Sequence, residues 1–254
     1  MVKRALYDLS NEEFALFVDV LGKSFDQEQI DYIYVGGTAV QLHLANLLCK
    51  KEGIGLEKLA EDHILQDFLR PTDDVDIALA SSVYLDDERQ NEVAYLRRIN
   101  AVLTPITVQT HLSPSGNRLV EYRFARKGAK RPILNVFVDE EWSDGERIMM
   151  NISRKPEDLE KLESKFYDRF VELGERVSVP YNAPFTINAR VIPITQLLAT
   201  KASNFRAKDA MDIQNLVELM RGVEVPVDYA TIEATLGPEN LRNYHKFLTL
   251  VGEH

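Results

Sequence analysis

Arg70-Pro71-Thr72-Asp73-Asp74-Val75-Asp76-Ile77, running on through Ala78-Leu79-Ala80, is the stretch on which the fold turns. Side chains on a β-strand alternate between its two faces. Val75, Ile77 and Leu79 therefore share a core side, while Asp74 and Asp76 share the other with the small residues Ala78 and Ala80. Two carboxylates so close repel each other, and a divalent cation removes that repulsion. Mg²⁺ characteristically takes one or two carboxylates together with substrate phosphates and several waters. A polar turn leading into a strand, with Asp76 facing water, accounts for the same residues, so the acidic pair alone is not decisive.

A second stretch upstream, Tyr34-Val35-Gly36-Gly37-Thr38-Ala39-Val40, adds weight to the first. Ile33, Tyr34 and Val35 read as a short strand that the glycine pair stops, and glycine allows a tight turn and close approach of a ligand to the backbone. Thr38 is the expected N-cap of a helix through about Leu48, with Val40, Leu44 and Leu47 at helical spacing. The amides at such a helix start can receive a phosphate. Gly36, Gly37 and Thr38 are accordingly the candidate phosphate seat, although Gly-Gly-Thr is equally an ordinary strand-to-helix turn with no ligand, and only the combination of the two stretches is specific.

In combination these motifs resemble the nucleotidyltransferases of the DNA polymerase β superfamily, and within it the AbiEii-type toxin branch. That branch carries Gly-Gly-Thr-Ala, matched by Gly36 to Ala39, and Arg-x-Thr-x-Asp-x-Asp, matched by Arg70, Thr72, Asp74 and Asp76. It also carries a downstream helical Lys, then Arg, then a basic residue followed by Asp, then a further Asp. Here that stretch is Lys201-Ala202-Ser203-Asn204-Phe205-Arg206-Ala207-Lys208-Asp209-Ala210-Met211-Asp212. The likeness covers roughly residues 30 to 220. It implies an α/β (α+β) fold: a mixed sheet flanked by helices over residues 1–192, then a helical region over 193–254 that closes the cleft. It also implies two Mg²⁺ ions, or Mn²⁺, on Asp74 and Asp76, and nucleotide contacts from Gly36, Gly37, Thr38, Lys201, Lys208 and Asp209. The implied reaction moves a nucleoside monophosphate from a nucleoside triphosphate to a hydroxyl on RNA or a small molecule, with an antitoxin as possible protein partner.

Taken apart from the resemblance, Lys201, Phe205, Lys208, Asp209 and Asp212 recur at three- and four-residue steps and form one helical stripe. Intrahelical ion pairs, such as Lys208 with Asp212, would account for it equally.

Two departures from the family pattern stand out. Between the glycine turn and Asp74 the segment from Cys49 to Leu69 is longer than usual, and Leu56, Leu59, Ile64 and Phe68 predict an inserted helix near 50–69. The second departure concerns the chemistry. A third carboxylate is expected on the strand Ile133-Leu134-Asn135-Val136-Phe137-Val138, and Asn135 occupies its place. An amide can coordinate through its carbonyl oxygen, yet it brings no negative charge and is no general base. Asp139 lies roughly 13 Å farther along an extended strand. Glu121 is the nearer replacement, unless Arg123, on the same face, simply neutralises it. Asn135 thus motivates an alternative: a catalytically impaired nucleotidyltransferase-fold protein that binds nucleotide or a protein partner.

The rest of the chain is read as helix over 11–30, helix over Glu88 to Leu103, and strands near 105–111, 118–125 and 132–138. A charged helix over Glu157 to Leu173, short strands at Val177–Val179 and Thr186–Ile192, and helices from Thr195 onward follow. Arg118, Arg123, Arg126, Lys127, Lys130 and Arg131 make a basic hairpin, suited either to blunting a sheet edge or to gripping an anionic acceptor.

With 254 residues the chain can bury a sizeable core, and a formal charge of −10 argues against dedicated nucleic-acid binding while suiting a cationic acceptor. One cysteine, Cys49, excludes an internal disulfide. No apolar run approaches the roughly 20 residues of a membrane span, and the amino terminus lacks a signal-peptide pattern, so a cytoplasmic location is expected. His43 and His63 are expected to be packed or surface residues.

Overall fold

A computed structural model describes residues 8–72, 74–80, 99, 103–112, 118–129, 132–140 and 166–253. The chain is a mixed α/β protein that divides into two compact units, Phe25–Ile33 with Asp74–Gly174, and Met1–Ser24 with Tyr34–Asp73 and Glu175–His254.

The unit containing Asp74 is built on four strands. These are β2 (Val75–Leu79), β3 (Leu103–Leu112), β4 (Arg118–Arg126) and β5 (Leu134–Glu140), in the order β3-β4-β5-β2. β3, β4 and β5 form an antiparallel meander, whereas β2 joins β5 in parallel with Asp76 beside Asn135. The alternation read from the sequence holds, for Val75, Ile77 and Leu79 are fully buried. On β5, Leu134, Val136 and Val138 are likewise buried, and helix α5 (Phe166–Leu173) packs against β2 and β5. Alternate residues of the two strands thus form an apolar layer, leaving the Asp76 and Asn135 row on the other face. Of the expected helix over Glu88 to Leu103, Ile99 is helical, Leu103 opens β3, and the remainder lies outside the described residues, as do the first part of the expected helix over Glu157 to Leu173, Lys130 and Arg131.

The second unit pairs β1 (Tyr32–Val35) through Tyr34 in parallel with β7 (Phe185–Val191), which runs antiparallel to β6 (Glu175–Asn182). Helix α2 (Gly36–Glu52) packs on β6 and β7 and is covered by later helices, so its side chains are buried nearly all round. Its start differs from expectation. The helix begins at Gly36, Val35 is the extended N-cap residue, and Thr38 is a fully buried residue inside the first turn. Gly36, at φ 61°, makes the turn in the left-handed region that residues with a Cβ avoid, so the chain is helical before it reaches Thr38.

The insertion also differs from the single helix expected. α2 itself runs on to Glu52, and two short helices, α3 (Leu56–Glu61) and α4 (Leu65–Phe68), follow. His63 between them adopts φ 62°, a conformation that no continuous helix accommodates. Downstream, the region predicted as helix from Thr195 divides into α6 (Ile194–Asn204) and α7 (Ala207–Gly222), followed by α8 (Tyr229–Leu236) and α9 (Leu241–Val251). Phe205, at φ 44°, separates α6 from α7, so the Lys201 to Asp212 stripe spans two helices. Helix α1 (Glu12–Gln27) opens the chain, close to the expected 11–30. Among the described residues no helix is long and apolar enough to cross a membrane.

Two buried polar groups tie α2 to its surroundings. Gln41 accepts from the backbone N–H of Leu9 (2.9 Å) and donates to the carbonyl of Arg70 (3.1 Å), fixing the segment that leads to Thr72. His43, also buried, donates from Nε2 to the carbonyl of Ile192 (2.8 Å). Cys49 is buried on the same helix, where burial pushes its thiol up to about 11.

Burial holds the His43 imidazole below its ordinary value, outweighing the Ile192 bond and the Glu175 charge, which act in the opposite direction. The unfolded chain therefore takes up the proton first, and stability present above the unfolded value is lost as pH falls. Chemical denaturation from about pH 7 to about pH 5 should show this decline, and His43→Gln should flatten it.

Candidate functional site

In the unit containing Asp74, three strands bring Arg123, Asn135 and Asp76 into one row, since Arg123 of β4 is in register with Asn135 of β5, and Asn135 with Asp76 of β2. Asp74 sits in the bend just ahead of β2, on the same face. The Asn135 amide reaches both acids: Nδ2 donates to Asp74 Oδ2 at 2.7 Å and to Asp76 Oδ1 at 2.9 Å. The carboxylates expected to converge therefore do so, drawn to one nitrogen. Asn135 is only 6% exposed, and its Oδ1 is buried without a hydrogen-bond partner. A buried amide oxygen left in this state costs free energy and is uncommon in folded proteins.

Glu121 does not share the row of Asn135. It is in register with Phe137, one row away from Asn135, and it is buried against Arg123. Arg123 grips it with two bonds, Nε to Oε1 at 2.8 Å and Nη2 to Oε2 at 2.9 Å. Of the two readings open in the sequence, neutralisation by Arg123 is the one the structure shows. Donation to Glu121 raises the guanidinium above its ordinary value, against a smaller opposing effect of burial, and the charges of Glu121, Asp74 and Asp76 add to it. Arg126 and Lys127 of the basic hairpin are exposed beyond this row.

The other unit holds the glycine turn and the helical stripe. A Cβ on Gly37 would lie 2.8 Å from Thr72 Oγ1 and 3.2 Å from Thr72 Cβ, closer than packed atoms tolerate. The Thr72 side chain occupies the space that a Cβ at position 37 would need, so any larger residue there must push it aside. Arg70 is held in turn by Asp212, Nε to Oδ1 at 3.2 Å and Nη2 to Oδ2 at 3.3 Å. Lys201, 6% exposed, places Nζ 2.9 Å from Asp212 Oδ2 and 3.4 Å from Asp209 Oδ1. Arg206 completes the group. Its Nε donates to Asp209 Oδ2 at 2.6 Å, and its backbone N–H donates to the same oxygen at 3.2 Å, which caps α7.

Lys201, Asp209 and Asp212 are thus brought together, joined by Arg70 and Arg206, while Lys208 is exposed on α7 apart from them. Sequence periodicity missed the Arg70–Asp212 pair, because nothing local connects residues so distant in the chain. Burial works to raise the Asp209 carboxyl, but the Arg206 hydrogen bond and the charges of Lys201 and Arg206 outweigh it and hold the group below its ordinary value. Among the described residues no group of three or more His, Cys, Asp or Glu is arranged to hold a metal. The chain matches no protein-family model and no curated protein.

Two sets of variants test this geometry. Gly37→Ala should cost about 1–3 kcal/mol by overpacking. Paired with Thr72→Ala in a double-mutant cycle followed by urea denaturation, it should show a coupling above about 0.5 kcal/mol. Lys201→Met should cost up to about 3–5 kcal/mol, the range for breaking a buried ion pair, with the low end set by the two arginines that remain. Because Asp209 is depressed in the folded state, its stabilisation is present above the unfolded value and is lost as pH falls through the folded one. Asp209→Asn should remove that part of the acid limb in a melting-temperature profile.

Proposed function

We propose that the chain is a Mg²⁺-dependent nucleotidyltransferase of AbiEii-like type, acting in the cytoplasm on a hydroxyl acceptor that is either RNA or a small cationic molecule. The observation that carries this reading is the convergence of Asp74 and Asp76 on one face, both within hydrogen-bonding reach of a single nitrogen. The donor set fits the ion. Carboxylate oxygens and an amide oxygen are hard ligands, the kind that Mg²⁺ and Mn²⁺ select over softer metals.

Asp74 and Asp76 would hold the ion, which when bound neutralises phosphate charge and aligns the phosphate under attack. The remaining roles belong to the chain itself. Backbone amides at Gly36, Gly37 and Thr38 seat phosphate oxygens, helped by the bare Cα of Gly37. Arg70, fixed by Asp212 and 25% exposed at its side chain, offers a charged fork next to that turn. Lys201, Asp209 and Asp212 act as positioning residues through Arg70, and Lys208 provides an exposed cation for the nucleotide. Arg123 stays protonated and keeps a positive charge beside Asp76, while Asn135 accepts no proton. An antitoxin partner follows from the resemblance alone.

A second reading, nucleotide or partner binding without turnover, is favoured specifically by Asn135 in place of a third acid. Incubation with labelled nucleoside triphosphates, Mg²⁺ and RNA or aminoglycoside-like acceptors decides between them. Transfer by the wild type should fall at least about 100-fold in the Asp74→Ala, Asp76→Ala variant, since several kcal/mol of charge stabilisation are removed. Nucleotide binding with equal, background labelling in both proteins would establish the binding reading instead.

A further inference from the structure

The row Arg123, Asn135, Asp76 has an uneven charge distribution. Asp74 and Asp76 both accept from one neutral amide, whereas Glu121, on the adjacent strand, is gripped at both oxygens by Arg123. Of these three acids, Asp74 and Asp76 are the two that converge on one point. Between them lies Asn135 Nδ2, and the other end of the same amide, Oδ1, is buried with no hydrogen-bond partner. The N and O ends of an asparagine amide are nearly equal in size, so half a turn about χ2 exchanges them in the same space, at the cost of moving the N–H donors to the buried position that Oδ1 now holds.

We propose that Asn135 is a neutral third ligand that restricts this site to one divalent cation: the ion binds Asp74 and Asp76, and the amide turns to present Oδ1 in place of Nδ2. The inference rests on the reading of Asp74 and Asp76 as metal ligands, and it replaces the two ions implied by the resemblance with one. Charge supports it. A second dication would meet an uncharged amide and the guanidinium of Arg123. The orphaned oxygen supplies what a hard cation selects, and the amide hydrogens that now bridge the acids would repel it.

Calorimetric titration with Mn²⁺, read against the electron paramagnetic resonance signal of free Mn²⁺, tests stoichiometry without any need for turnover. The wild type should bind one ion. Asn135→Leu, which has no oxygen, should bind it at least about tenfold more weakly, in keeping with the loss of a supporting ligand. Asn135→Asp, nearly isosteric but with a third carboxylate in place of the amide that bridges Asp74 and Asp76, should bind two. Two ions on the wild type, one on Asn135→Asp, or equal or tighter binding by Asn135→Leu would overturn the proposal while leaving the metal reading intact. Undiminished binding by a folded Asp74→Ala, Asp76→Ala variant would overturn the metal reading itself, and this proposal with it. Circular dichroism melts of each variant identify any that fail to fold, in which case the stoichiometry of the wild type decides.

Discussion

The in-register parallel pairing of β2 with β5 is the constraint on which the Asp74 unit depends. A strand has two faces, so a slip of one residue would exchange them. Val75, Ile77 and Leu79 would leave the core, and Asp76 would enter it. Burial of an unpaired carboxylate is far more costly than any single strand pairing returns, so the apolar residues and the acids specify the same register from opposite sides. Once that register is set, Asn135 has no choice of neighbour: it faces Asp76 on one side and Arg123 on the other.

The second unit solves a different electrostatic problem. Asp209 and Asp212 are almost wholly buried, and three cations, Arg70, Lys201 and Arg206, surround them. Buried ion pairs of this kind add little net stability over an apolar core of the same shape, but they penalise any arrangement that separates the partners. The consequence here is specificity of placement. Arg70 is held to α7 by its guanidinium and to α2 by its carbonyl, through Gln41, so the residue that leads to Thr72 is anchored on two sides.

Local periodicity made much of this legible. The alternation from Asp74 to Ala80 gave the faces of β2 correctly because each residue's environment follows from parity alone. The meander of β3 to β5 and the strands β6 and β7 were visible for the same reason. Helix boundaries were less so. Thr38 looked like a cap because capping chemistry favours threonine, yet the backbone freedom of Gly36 started the helix earlier. Phe205 carries no sequence mark of a left-handed conformation, so the division between α6 and α7 could not be seen. The Arg70–Asp212 pair and the saturation of Glu121 by Arg123 depend on three-dimensional placement, which spacing can suggest for the second pair and cannot for the first.

The burial of Cys49 has a practical side. Its thiol lies within the α2 core with its ionisation pushed up to about 11, so at neutral pH almost none is in the nucleophilic thiolate form. No other cysteine occurs in the chain. A cysteine introduced at an exposed position, Lys208 or Lys127 for instance, would then react with maleimide dyes far faster than the native one. Each unit can be labelled site-specifically in an otherwise unaltered protein, which opens distance measurements between them in solution.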